Sequence, residues 1–285
     1  MALSKEEVLL RLGVTAEDAA EAVGEVPEQY RRALVGALAH RSRPGDPMPA
    51  LPPAEPPILA VQVILAAIDD IRGCHRELGV SDGISWETLA HLGRAMAGYR
   101  ESHGHAGIHL TFWDWLRYTG WLYQVGRLEV TVYRLRTHPK EAGPLFWYDD
   151  ETAERLGLPF RIGDPAVSLH VPAGDPLDPE ACDEALERMR GGFPGRRVAT
   201  CTSWLLDDQL ADYLPEDSRI VRFQRRFYLV PGARDDDEAM LNAVFGRGRV
   251  RELDLLPRTT TLQQAVIDHL YAGRHWRMRT GWLAL

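Results

Sequence analysis

The chain has 285 residues and a mass of 32.0 kDa, with 33 Lys and Arg against 41 Asp and Glu, a formal charge of −8. With 45% hydrophobic and 26% charged residues it can bury a sizeable core, which excludes a disordered or collagen-like chain. The acidic balance excludes the clustered Lys and Arg of a nucleic-acid binder.

The remaining composition narrows the class further. Cys74, Cys182 and Cys201 are an odd set without CxxC spacing, which fits a reducing compartment and speaks against a disulfide framework or a structural zinc site. The leading MALSKEEVLLRLG carries charges where a signal peptide needs an apolar stretch, and no run of 18 apolar residues occurs. The expectation is a cytoplasmic protein of two domains, without membrane or nucleic-acid partners.

The first elements read as helices. Ser4 with Glu7 fits a capping box, Thr15 fits a second cap, and Pro27 precedes a helical repeat of Tyr30, Leu34 and Leu38. Residues 41 to 58 hold seven prolines, a stiff loop by the loss of backbone donors. Val61, Ile64, Leu65, Ile68, Ile71 and Leu78 then follow one helical face, and Ser85 is placed to cap the next helix, with Leu89, Leu92, Met96 and Tyr99. Trp113, Trp115 and Trp121 follow near the expected domain junction, where core packing is the first expectation and a pocket lining the second.

The period changes near residue 122. Leu128, Val130 and Val132 alternate with polar residues, and Gly126 with Arg127 marks a turn before them. Strands are predicted at 166–171, 197–201 and 219–230, helices at about 179–190, 205–213, 236–245 and 261–272, and a last strand in RMRTGWLAL. The predicted fold class is α+β: a helical N-terminal domain over 1–120 and a mixed α/β sheet domain over 121–285.

Several clusters carry chemistry at first sight. His103, His105 and His109 offer imidazoles without a nearby carboxylate, so no metal is expected; Asp235 to Glu238 fits a helix N-terminus; FGRGR at 245–249 follows a helix, unlike a phosphate-binding loop. The strand ends are more informative. His170 lies in SLHVP, where Pro172 ends the strand, and an imidazole there is suited to accept a proton. Cys201, Ser203 and Trp204 stand at the end of the following strand; Cys201 is an alternative nucleophile with His170 as its base. His170 and Cys201 equally fit as packed strand residues. Arg222, Gln224 and Arg226 fall on one face of the predicted 219–230 strand, where they fit a contact to substrate or phosphate or a solvated face.

SLHVP, ATCTSWLLDDQLADYLPEDSRIVRFQRRF and TTLQQAVIDHLYAGRHWRMRTGWLAL, with GVSDGISWETLAHLGRAM in the first half, resemble the two-domain acyltransferases found widely in actinobacteria. These pair a helical N-terminal domain with a domain similar to the C-terminal part of the Gcn5-related N-acetyltransferase (GNAT) fold. The resemblance implies transfer of an acyl group from a thioester to an amine of a small-molecule acceptor. It implies that AVSLHV, VATC and RIVRFQRRF take the places of the fourth, fifth and sixth strands, the fourth and fifth splaying to admit the pantetheine arm. It also implies that Tyr213 protonates the leaving thiolate and that Ser203, Trp204, Arg222 and Gln224 lie near the cofactor. One departure stands out: VPAGDPLDPEACDEA replaces the glycine-rich pyrophosphate loop, with prolines that lack N–H donors and aspartates that repel phosphate. The donor is therefore expected to be acyl-CoA held by other groups or an acyl-phosphopantetheine on a carrier protein, with a non-catalytic thioester-binding module as the alternative.

Overall fold

The computed structural model describes residues 4–22, 24–40, 56–134, 150–161, 163–172, 177–246 and 252–285. The chain divides into two compact units, 1–125 with 191–194, and 126–190 with 195–285.

The first unit is helical: α1 Lys5–Arg11, α2 Ala16–Glu21, α3 Glu28–His40, α4 Pro57–Ala66, α5 Ile68–Glu77, α6 Asp82–Leu89, α7 His91–His103 and α8 Phe112–Tyr118, then the short strand β1 Leu122–Val125. Ser4 and Glu7 close the capping box on α1, and Thr15 accepts from the Asp18 amide to start α2. Leu12, Leu34, Ile71, Leu92 and Met96 are buried in one cluster, joined by Trp115. Trp115 is therefore core; the Trp113 side chain lies outside the described residues. Arg100 on α7 pairs with Glu17, Asp18 and Glu21, tying α7 to α2 across about 80 residues of sequence.

Two expectations in this unit change. The apolar face from Val61 to Leu78 is split at Ala67, whose amide closes α4, and Asp69 and Asp70 then favour a fresh helix N-terminus. Ser81, not Ser85, caps α6; Ser85 is buried one turn inside, 2.9 Å from His75 Nδ1. The proline-rich stretch lies outside the described residues up to 55, and Pro57 opens α4.

The second unit carries β2 Leu128–Arg134, α9 Asp150–Arg155, β3 Pro165–His170, α10 Pro179–Gly192, β4 Val198–Ser203, α11 Arg219–Gln224, β5 Tyr228–Leu229, β6 Arg234–Asp235, α12 Asp237–Phe245, α13 Thr261–Tyr271 and β7 Arg277–Ala284. Short 3-10 turns span Trp204–Leu206 and Asp208–Asp212. The sheet order is β2-β3-β4-β7-β5, with β6 also paired to β7. β3 and β4 are parallel; the other pairs are antiparallel. Leu210, Val221, Met240, Val266 and Trp276 form the core beside the sheet. The fold is α+β, as expected.

The segment expected as a long strand over 219–230 is mostly helix. Ser218 caps α11 by accepting from the Val221 amide, and Phe223 and Phe227, four apart, bring their rings to 5.1 Å. Only Tyr228 and Leu229 remain extended, on β7. Val221, Phe223 and Phe227 fit the strand period, Ile220, Phe223 and Phe227 fit the helical one, and the serine cap resolves the ambiguity toward helix. The neighbour of β4 is consequently β7, supplied by the C-terminal residues. Gly281 permits this approach, because a Cβ there would meet Phe227 Cβ at 2.9 Å and Leu206 Cδ1 at 3.0 Å.

Candidate active site

β3 and β4 are in register over Val167 with Ala199 and Ser168 with Thr200, and their mutual ladder stops there. Each strand continues on its outer side. β3 stays paired with β2 as far as His170, and β4 with β7 as far as Ser203. The sheet therefore parts between the C-terminal ends of β3 and β4, leaving a gap bordered by strand edges.

The hydrogen-bond alternation of β4 shows which groups face that gap. The Leu285 amide donates to the Arg197 carbonyl, one step beyond the Val198 and Ala284 pair. Backbone groups of residues 197, 199, 201 and 203 thus turn to β7, and those of 198, 200 and 202 turn to β3. The Thr280 carbonyl, opposite Thr202, accepts from Val230 on the far side, in keeping with this phase. The Thr202 N–H and C=O therefore point into the gap past the end of the ladder. Only the register identifies Thr202.

His170 closes β3 and is half-buried. Its Nε2 lies 3.3 Å from Thr131 Oγ1. Burial pulls its pKa below the ordinary 6.5, against the opposing pull of Glu129, so the ring is neutral at neutral pH and able to accept a proton. Cys201, on β4, is buried, and loss of solvent pushes its thiol up to about 12. A nucleophilic Cys201 is thus disfavoured, because the thiolate is the reactive form.

Tyr213 follows the Asp208–Asp212 turn and meets a different set of partners. His269 Nε2 lies 3.2 Å from the His275 carbonyl, which only accepts, so Nε2 carries the proton and Nδ1 accepts from the Tyr213 hydroxyl at 3.0 Å. Arg274 donates to the same hydroxyl oxygen. The Tyr213 proton is committed to this network beside Trp276, an arrangement that disfavours a general acid.

The remaining candidates hold local structure. Ser203 Oγ accepts from the Leu205 amide, and Trp204 packs on the core around Trp276. The Gln224 amide donates to the Leu205 and Asp207 carbonyls, bracing the turns after β4. Arg226 reaches Asp183 and the Pro179 carbonyl, whereas Arg222 is exposed on α11. These residues lie on a helix and its following turn and share no strand face.

Among the described residues no group of three or more His, Cys, Asp or Glu is placed to hold a metal ion. His103 stacks on Tyr99 at 4.1 Å, and His109 meets the same ring edge-on at 4.8 Å. Asp236 caps α12, as the acidic run suggested. The FGRGR stretch from 247 and residues 173–176 of the expected phosphate loop lie outside the described residues. No helix among the described residues is long and apolar enough to cross a membrane.

Both halves of the chain match known family models. Residues 4–120 match the N-acyltransferase N-terminal domain and residues 122–283 the GNAT-like C-terminal domain. The chain belongs to this acyltransferase family. A solved structure of an acyltransferase in complex with decanoyl-CoA and teicoplanin is 35% identical, with 99% of this chain and 87% of the other covered and a TM-score of 0.62. An acyltransferase in complex with CoA and 10C-teicoplanin is 34% identical over 100% and 88%, with a TM-score of 0.62. A third, with decanoyl-CoA, is 32% identical over 99% and 87%, with a TM-score of 0.64. A search of curated proteins finds no match. This acyltransferase thus shares its two domains and its chain-long fold with enzymes that bind acyl-CoA.

Proposed function

We propose that this acyltransferase moves an acyl group from acyl-CoA to the amine of a small-molecule acceptor by direct attack. The observation that carries the reading is the gap between β3 and β4, bordered by His170 and by the Thr202 backbone. A pantetheine arm is an amide chain that can pair with an open strand edge in place of the missing neighbour. The similar acyltransferases with decanoyl-CoA, CoA and teicoplanin support a CoA donor and a small-molecule acceptor.

In this mechanism the neutral amine attacks the thioester carbonyl and a C–N bond forms. The Thr202 N–H stabilises the oxyanion, and His170 takes the proton released from the amine nitrogen. The tetrahedral intermediate then collapses with cleavage of the C–S bond, and the His170 imidazolium returns its proton to the departing thiolate. One residue serves as base and acid, so neither Tyr213 nor Cys201 is required. Arg222, exposed on α11, is available to an anionic group of the donor. A phosphopantetheine on a carrier protein presents the same arm to the gap, and the odd cysteine count suits a cytoplasmic setting.

Thermal unfolding of the full chain with decanoyl-CoA, free CoA and an acylated carrier protein tests the donor. A ligand at one hundred times its dissociation constant stabilises the folded state by about 2.7 kcal/mol. Stabilisation by decanoyl-CoA with CoA release to an amine acceptor is expected, together with a loss of about 10²-fold or more in turnover for His170→Ala. A response confined to the carrier protein would reassign the donor; binding without any acyl transfer would favour the non-catalytic module.

A further inference from the structure

In the antiparallel pair of β2 and β3, Glu129 stands directly opposite His170, and Thr131 stands opposite Ser168. Directly opposed residues share a face of the sheet, as do residues two apart on one strand. Glu129, Thr131, Ser168 and His170 therefore make one polar patch at the end of β3, beside the gap. Glu129 is buried, so its carboxylate acts on neighbouring groups through a poorly solvated medium. In the sequence it is one polar position of a strand alternation.

We propose that Glu129 is a positioning residue for His170: its carboxylate orients the imidazole and stabilises the imidazolium formed when the amine proton arrives. The inference rests on the assignment of His170 as the base and extends it by one residue. A half-buried imidazole gains a positive charge at the moment of bond formation, and an anion on the same sheet face offsets that cost in a poorly solvated site. Burial and Glu129 act on His170 in opposite directions, and burial is the larger. Among the described residues, hydroxyl groups also stand on this face beside the ring. The Thr131 hydroxyl lies beside Nε2, Ser168 is a hydroxyl on the same patch, and the Thr200 hydroxyl on β4 donates to the Val167 carbonyl at 3.4 Å. The carboxylate thereby keeps the His170 proton affinity high enough for a useful base, and Thr131 limits rotation of the ring.

The test uses the full chain with nitrogen-15-labelled histidine, the His170 ring signals being assigned by their loss in His170→Gln. Ring titration is followed in the wild type, Glu129→Gln and Glu129→Asp, alongside kcat and KM for CoA release from decanoyl-CoA in the presence of a primary-amine acceptor. Removing an opposite charge at this range lowers the His170 pKa by about one pH unit or more. In Glu129→Gln the acidic limb of kcat/KM is expected to move to lower pH by the same amount. Turnover should fall about tenfold, following the weaker base, with KM for decanoyl-CoA within about twofold. Glu129→Asp, which keeps the charge, should retain most of the wild-type profile and guards against a folding defect. A folded Glu129→Gln with an unmoved His170 titration, while His170→Gln is inactive, overturns the role of Glu129. Full turnover in His170→Gln overturns the base assignment and the catalytic part of the proposal with it.

Discussion

Cys201 and His170 end as opposite cases because burial acts on groups of opposite charge type. Losing water disfavours whichever form is charged, so the Cys201 thiol stays protonated and the His170 ring stays neutral. In the proposed mechanism the first outcome speaks against Cys201 as the nucleophile and the second suits His170 as the base. Cys201→Ala should therefore keep turnover within about twofold while costing about 1 kcal/mol of stability from the emptied space, measured by urea unfolding beside steady-state rates. Tyr213→Phe should likewise keep most turnover. It should lower stability by about 1–2 kcal/mol, because the His269 Nδ1 acceptor is left without its donor. A collapse of kcat in either variant would restore the residue to the mechanism. His170 was legible as a candidate from its place shortly before Pro172; the proposed role of Glu129 was not, because it depends on a partner 41 positions away in the register.

At the scale of elements, the parting of β3 from β4 follows from how each strand is held on its outer side. β2 retains β3 through His170 and β7 retains β4 through Ser203, so each half of the sheet follows its own outer neighbour. The Thr202 amide is the accessible consequence of that arrangement. Thr202→Pro removes this N–H while the bonds to β7, made through Cys201 and Ser203, remain. Turnover should drop about 10²-fold with the circular dichroism spectrum retained, and Thr202→Val, which keeps the N–H, should be near wild type. Equal losses in both variants would place the effect in the side chain and not the backbone. Most element types were legible in order, including the helices of the first unit and the strands ending in His170 and Ser203. The 219–230 segment was not, because its apolar spacing satisfies both periods and only the Ser218 cap and the ring contact of Phe223 with Phe227 decide between them.

Over the whole molecule, His170 and His269 contribute to the response to acid. His170 and His269 both have pKa values below the ordinary 6.5, chiefly from burial. The unfolded chain thus binds the proton first, and stability is lost as pH falls from 6.5 toward the lower folded values. Glu21, held down by Arg100, and Asp114, held down by His91 and Thr111 against its burial, add a further loss below the ordinary carboxylate range. His275 acts in the opposite sense, because Asp237 raises its pKa, but its ring is exposed and its weight is small. Urea midpoints should fall between pH 7 and pH 5, and His269→Gln should flatten that fall. A slope unchanged in His269→Gln would assign the acid sensitivity to other groups.

The sequence by itself determined the two-part organisation, the α+β class and the acyltransferase family, because capping residues, hydrophobic periods and motif strings are local properties written in consecutive residues. It also offered His170 as the candidate base of the proposed mechanism. Only the tertiary structure decided which strand flanks β4, where the β3 and β4 ladder stops, that Thr202 turns its backbone to the opening, and that Glu129 faces His170. These depend on register between segments far apart in the chain, and a shift of one residue in either strand would send every side chain to the other face of the sheet.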